Sequence, residues 1–264
     1  MNHGLGGQLM TAILATGKPT NSFEWMLFLA NKYADSFWLG TWITLYVAVA
    51  GTIIGFLLGY CIGIVQDIRI SKADGVVKKL VVRLLKGICA VYVEVFRDTP
   101  MIVQAMVIYY GLRMANVSIG VITAGILVTV LNTGAYMAET VRAGINSIDA
   151  GQREGALALG MSPMRTMFTV ILPQAFKNII PEMANMFLTN LKMTSVLNVI
   201  GLSELFMTAK TVAGNYYKYF ESYLIIAAIY FVLCFVFNRL FMLLERRMAL
   251  KKDYVLAVEY MDNE

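Results

Sequence analysis

Glu94, Arg97, Asp98 and Lys192 stand inside otherwise apolar runs, and Glu139 stands at the end of one. A charge in hydrocarbon is costly, so these residues are expected to face a bundle interior or a cavity and to find partners there. Glu94 and Arg97 lie at i, i+3 and can pair directly; Glu139 and Arg142 repeat that spacing. Thr99, Thr194 and Ser195 add hydroxyls beside the charges, free either to meet a solute or to bond back to their own helices. This set suits binding rather than bond breaking. The sequence contains no Gly-x-x-x-x-Gly-Lys-Ser/Thr phosphate loop, no Gly-x-Ser-x-Gly elbow, no Cys-x-x-Cys and no His-Glu-x-x-His. His3 is the sole histidine, which excludes a histidine-based metal site or triad. Cys61, Cys89 and Cys234 are too scattered for a ligand set and are read as small packing residues. The 17 methionines are read as flexible packing rather than as a copper path. No catalytic residue, directly bound cofactor or metal is expected.

The elements that must hold these residues are membrane spans. Of 264 residues, 58% are hydrophobic and 15% charged, against about 25% charged in soluble domains. The mean hydropathy is +0.65. The net charge of +5 sits beside apolar segments, so it reports topology rather than nucleic-acid binding. The pattern predicts an all-α integral membrane bundle. Residues 1–36 form a polar and interfacial segment with no recognisable cleaved signal; 23–37 suit a helix on the membrane surface. Five spans follow within 37–247: 37–65, 87–112, 119–137, one starting near Asn178, and 223–244. The fourth is expected to break near Lys192–Ser195, with 196–217 as a re-entrant or external helix. Pro100 should kink the second. Gly51, Gly55, Gly59 and Gly63 form one stripe for close helix contact, within the chain or against a second copy. Arg69, Lys72, Lys78, Lys79, Arg83 and Lys86 mark one cytoplasmic stretch, from which 76 onward runs helically into the membrane. Arg246, Arg247, Lys251 and Lys252 mark another, so 248–264 is a cytoplasmic tail. The charge bias puts the N-terminus outside and the C-terminus inside.

Residues 147–173 form a polar hairpin between spans. Asp149 is a good N-cap with Gln152 behind it, residues 150–159 suit a helix, and Gly160 supplies a left-handed stop. Ser162 then caps a second helix with Pro163 in its first turn. Met164, Met167, Phe168 and Ile171 give that helix one apolar face, and Leu172-Pro173 should end or kink it.

The hairpin resembles the cytoplasmic loop of ABC-importer permeases: Glu-Ala-Ala, three residues, Gly, nine residues, Ile-x-Leu-Pro. Here Glu154-Gly155-Ala156, Gly160 and Val170-Ile171-Leu172-Pro173 keep that spacing, with Gly155 and Val170 as departures. Residues 92–111 resemble the second-span motif of the polar amino acid subgroup, with Asp98 in place of a Gly. Leu191-Lys192-Met193-Thr194-Ser195 resembles its Leu-Lys-Asp-Thr-Ser, with Met193 in place of the Asp. Residues 135–144 and 200–205 also fit.

The resemblance implies a five-span permease in a prokaryotic cell membrane. It also implies a second permease copy or a homologous permease, a cytosolic ABC ATPase dimer that binds ATP and Mg, and an extracytoplasmic amino-acid-binding protein. Arg153, Glu154, Gly155, Ala156, Gly160, Met164, Arg165, Met167, Phe168 and Pro173 would then couple to the ATPase. In an amino acid pathway, Arg97 or Lys192 would serve the carboxylate, and Glu94, Asp98 or Glu139 the ammonium, with Thr99, Thr194 and Ser195 as hydroxyl partners. An opine, quaternary amine or metal chelate is the alternative cargo on the same fold. An ATPase-independent channel or secondary transporter is the distant alternative.

Overall fold

The computed structural model describes residues 19–70 and 74–248, which are helices and turns with no strand among them. His3, Lys72, Lys251, Lys252 and most of the expected leader and tail lie outside the described residues. Helix α1 (Ser22–Lys32) opens with a reciprocal cap. Asn21 Oδ1 accepts from the Glu24 N–H at 2.8 Å, and Glu24 Oε2 accepts from the Thr20 N–H and hydroxyl at 2.8 and 3.0 Å. The Thr20 backbone bond, then its hydroxyl, hold the Glu24 carboxyl below its usual pKa. The chain turns at Tyr33 instead of running helically to residue 37. Leu29 is fully buried against the end of the bundle, so α1 is built into the protein fold.

Helix α2 (Ala34–Asp67) and helix α5 (Val121–Asn146) form the central pair. Gly51, Gly55, Gly59 and Gly63 meet Thr129, Thr133, Met137 and Val141, which repeat at the same interval on α5. A Cβ on Gly55 would sit 2.7 Å from Thr133 Cβ, and one on Gly63 2.6 Å from Val141 Cγ1. The stripe therefore serves packing within this chain, not a second copy. Between the two in sequence come helix α3 (Val76–Asp98) and helix α4 (Met101–Met114). They are two helices rather than one kinked helix, because Pro100 lacks an N–H and Thr99 is extended.

Helix α6 (Ala150–Ala158) and helix α7 (Pro163–Thr166) form the hairpin. Here the expected stop at Leu172-Pro173 is overturned. A π-turn over Met167–Ile171, in which the Leu172 N–H reaches the Met167 carbonyl, leads into helix α8 (Leu172–Met193). The wider turn absorbs a proline that would otherwise clash with the preceding turn. The fourth apolar segment thus begins in the hairpin, not near Asn178. At Thr194 the helix tightens to 3₁₀ geometry through Ile200 instead of breaking. The bend comes at Gly201, whose φ of +86° suits glycine. Glu204 then caps helix α9 (Leu205–Tyr216), and helix α10 (Tyr219–Met248) follows. Glu204 is 0% exposed, yet its carboxylate accepts from the Phe206 and Met207 N–H groups at 2.8 Å and from Tyr230 at 3.2 Å.

Among the described residues, α2, α5 and residues 219–246 of α10 are each long and apolar enough to cross a membrane. The segment Pro163–Ile200 with Leu205–Tyr216, bent by 55°, makes a fourth. Met101–Met114 is apolar but short. Cys61 is exposed rather than packed, and Cys89 and Cys234 are half-buried.

Candidate functional site

Two regions hold the residues that the sequence singled out. The first is the hairpin. Asp149 Oδ1 accepts from the Gly151 N–H at 2.7 Å, Gly160 takes φ +80°, and Ser162 Oγ accepts from the Arg165 N–H at 3.3 Å. Both breaks therefore stand where turn chemistry put them. Arg153 Nη2 reaches Asp67 Oδ2 at 2.9 Å, and the two side chains are 18% and 7% exposed. That pair ties α6 to the end of α2, a role for Asp67 that no local pattern pointed to. The apolar face of α7 splits in two. Met167 and Ile171 are buried with Leu172, Val141 and Ile145, while Met164 and Phe168 remain 66% and 55% exposed. Leu159, at 86%, joins them on the outside. Ala156 is buried; Glu154, Gly155, Gly160, Arg165 and Pro173 are exposed and Arg153 half-exposed. The result is a rigid, capped projection with bare apolar side chains and a rim of charge. Such a surface fits the groove of another protein.

The second region is the surface around the α3–α4 break. Glu94, Arg97, Asp98 and Thr99 are all exposed on this chain, which corrects the expectation that they turn inward. Glu94 and Arg97 make no ion pair. The Arg97 guanidinium lies over the Tyr136 ring at 5.8 Å, and Tyr136 donates to the Arg97 carbonyl at 3.5 Å. A guanidinium stacked on an aromatic face gains attraction there, which leaves the acid unneeded. The same helix α3 leaves Leu80, Leu84, Ile88, Val91 and Val95 exposed. A wide face of α3 therefore lacks a neighbour within one chain.

The hydroxyls are largely committed. Thr99 donates to the Val95 carbonyl at 2.6 Å, Thr194 to Leu191 at 2.9 Å and Ser195 to Lys192 at 2.7 Å. Thr194 is also fully buried. Lys192 is exposed, with no acidic partner among the described residues, and opens on a cavity of about 310 Å³ with Ser195, Phe206, Tyr223 and Tyr230. Glu139 pairs with Arg142 at 2.6 Å near the hairpin end, so it is not gathered with the others. Beside it, Thr140, Ser147, Asn178 and Glu182 line a cavity of about 500 Å³. Asn190 bridges Thr52 and Thr133 at 2.8 and 2.9 Å, joining α8 to α2 and α5. Gln104 and Asn132 bridge the α3–α4 break. A polar amide in an apolar run was the only signal for these two.

Residues 75–250 match the family described as binding-protein-dependent transport system inner membrane component. The probable amino-acid permease protein YxeN of Bacillus subtilis (strain 168) is 39% identical over 171 residues, covering 63% of this chain and 75% of that protein. The glutamine transport system permease protein GlnP of Escherichia coli (strain K12) is 36% identical over 165 residues, 62% of this chain and 75% of that one. A crystal structure of an amino acid ABC transporter with histidines superposes with a TM-score of 0.72 at 39% identity, covering 82% of this chain and 95% of that one. The MetNI methionine ABC transporter, at 19% identity and a TM-score of 0.63 over 80% of this chain and 95% of its own, shares the fold. With a capped apolar hairpin on a broken-span bundle and a family match over most of its length, this chain belongs to the binding-protein-dependent inner membrane components, the permease subunits of ABC importers.

Proposed function

We propose that this chain is the transmembrane subunit of an importer for polar amino acids. Two permeases, of this chain or of this chain and a homologue, form the path, and two cytosolic ATPase subunits bind and hydrolyse ATP. A binding protein outside delivers the cargo. The chain has five spans, with α3 and α4 together as the second, the N-terminus outside, and the hairpin and C-terminus in the cytoplasm. The basic residues flanking α3 and the end of α10 support that orientation. Amino acid cargo is supported by the relatives named for glutamine and other amino acids. It is also supported by the mixed charge of Glu94, Arg97, Asp98 and Lys192, which offers a donor for a carboxylate and an acceptor for an ammonium. Glu94, Arg97 and Asp98 are exposed on the helix whose outer face has no neighbour in this chain, where a second permease would close the path.

The observation that carries the reading is the hairpin tip: Leu159, Met164 and Phe168 bare on a projection locked by Arg153–Asp67. Met164→Ser with Phe168→Ser changes only exposed side chains, so the permease should still fold. Co-purification with the ATPase and amino acid uptake in proteoliposomes should both be lost. Survival of both would remove the coupling role. Uptake of a labelled opine or quaternary amine in preference to amino acids would overturn the cargo.

A further inference from the structure

Proline at position 100 leaves a defined deficit. In an unbroken helix the Phe96 carbonyl would accept from the N–H of residue 100, and a proline has none. The Thr99 carbonyl loses its usual partner as well, because the Val103 N–H goes to the Pro100 carbonyl at 3.0 Å. Phe96 is half-buried, and a carbonyl shielded from water without a donor is costly. Two side-chain amides fill the gap. Gln104 Nε2 lies 2.9 Å from each of the Phe96 carbonyl, the Thr99 carbonyl and Thr99 Oγ1, and its two N–H groups are shared among these three acceptors. Asn132 Nδ2, from α5, donates to the Phe96 carbonyl at 3.2 Å and to Gln104 Oε1 at 3.1 Å. Gln104 is 6% exposed, so water does not readily replace it. One turn further along α5, Tyr136 holds the Arg97 carbonyl and lies under its guanidinium. The turn between α3 and α4 is thus held from α4 and α5 by side chains, where a continuous helix would use its backbone.

We infer that Gln104 and Asn132 are positioning residues for Arg97, setting how well the path binds its cargo without touching it. The inference rests on the proposed place of Arg97 in the substrate path. Arg97 and Asp98 sit on the two peptide units between the clamped carbonyls of Phe96 and Thr99. If the clamp is lost, those carbonyls must find new donors by rotating the turn, and both charged side chains move with it. An error of a fraction of an ångström in such a site weakens recognition strongly.

The test uses the complete transporter in proteoliposomes, with whichever of labelled L-glutamine, L-arginine and L-histidine the wild type imports fastest. Hydrogen exchange of residues 93–104 in the same complex is measured in parallel. Gln104→Met, which keeps the shape and removes the amide, should raise KM roughly tenfold, as the loss of about one hydrogen bond would. Vmax should fall much less, and exchange in 93–104 should speed up. Asn132→Leu should do the same more weakly, and serves if the first variant fails to fold. Adding Gln104→Met to Arg97→Ala should change KM little further, since the clamp acts through Arg97. Unchanged KM and unchanged exchange in both variants would overturn the inference. So would full additivity with Arg97→Ala. Faster exchange in the clamp variants, with Arg97→Ala leaving KM at the wild-type value, would instead remove Arg97 from the path while the clamp stands.

Discussion

Replacing a helical glycine with alanine usually stabilises by about 1 kcal/mol, because the unfolded chain loses freedom. Gly155 and Gly59 should give opposite signs to that same substitution. A Cβ on Gly155 meets nothing within 4 Å, so Gly155→Ala keeps the gain in α6. A Cβ on Gly59 would lie 2.7 Å from the Gly134 carbonyl oxygen and 2.8 Å from the Ala138 nitrogen. Both are backbone atoms of α5 and cannot rotate aside. The nearest atom, Met137 Cβ at 2.5 Å, is fixed to the same backbone, and ordinary contact begins at 3.4 Å, so α2 and α5 must part by about 0.9 Å, a shift felt along the whole stripe in a close-packed interior. Overpacking of this kind costs about 1–3 kcal/mol. After the helical gain, a net loss of about 1–2 kcal/mol remains. Thermal unfolding of the purified protein in one detergent reads both changes, at roughly 2–4 °C per kcal/mol for a chain of this size. Gly155→Ala should raise the midpoint by a few degrees, and Gly59→Ala should lower it by a similar amount. A Gly59→Ala protein as stable as the wild type would refute the close approach of α2 to α5.

Arg153→Met should lower the midpoint by the equivalent of about 1–2 kcal/mol, because it strands the nearly buried Asp67 carboxylate. Adding Asp67→Asn should recover part of that loss, and a purely additive double variant would show that the pair does not hold the hairpin. Asn190→Leu should cost about 1–2 kcal/mol, because the Thr52 and Thr133 hydroxyls lose their shared donor in a buried site. The same melting assay checks it, and an unchanged midpoint would mean that those hydroxyls find other partners.

What could be read in the sequence was what local chemistry decides. Asp149, Gly160, Ser162 and Pro163 act within a few residues, so both hairpin breaks stood at their expected places. The glycine stripe was legible because a four-residue repeat survives whatever packs on it, although only the structure chose α5 as its partner. The fate of Pro173 was not legible. A Leu-Pro step usually ends or kinks a helix, but here a π-turn beside buried Ile171 and Leu172 takes up the ring and the helix continues. Glu204 lay in the segment read as a re-entrant or external helix, and its burial depends on amides and a tyrosine that approach only in three dimensions. Glu94, Arg97 and Asp98 looked like interior groups because hydrocarbon forbids them. The alternative, a face awaiting another chain, cannot be seen in the pattern of one chain.

The continuity of the hairpin with α8 gives coupling a mechanical route. From Pro163 to Lys192 the chain is one helical rod, roughly 45 Å long at about 1.5 Å per residue. Met164 and Phe168 lie exposed at one end, and Lys192 opens on its cavity at the other. Ile179 presses on Gly144 near the middle, where a Cβ would come within 2.6 Å of it, and Asn190 ties the far end to Thr52 and Thr133. With α2 and α5 locked together along the glycine stripe, the rod cannot swing alone without breaking the Asn190 bonds. On the proposed assembly, a pull on the hairpin therefore moves α2, α5 and α8 as one block. Arg97 follows, because Asn132 and Tyr136 carry its turn on α5. The displacement that opens and closes the path then falls at the face of α3 with no neighbour in the chain, between one permease and the other.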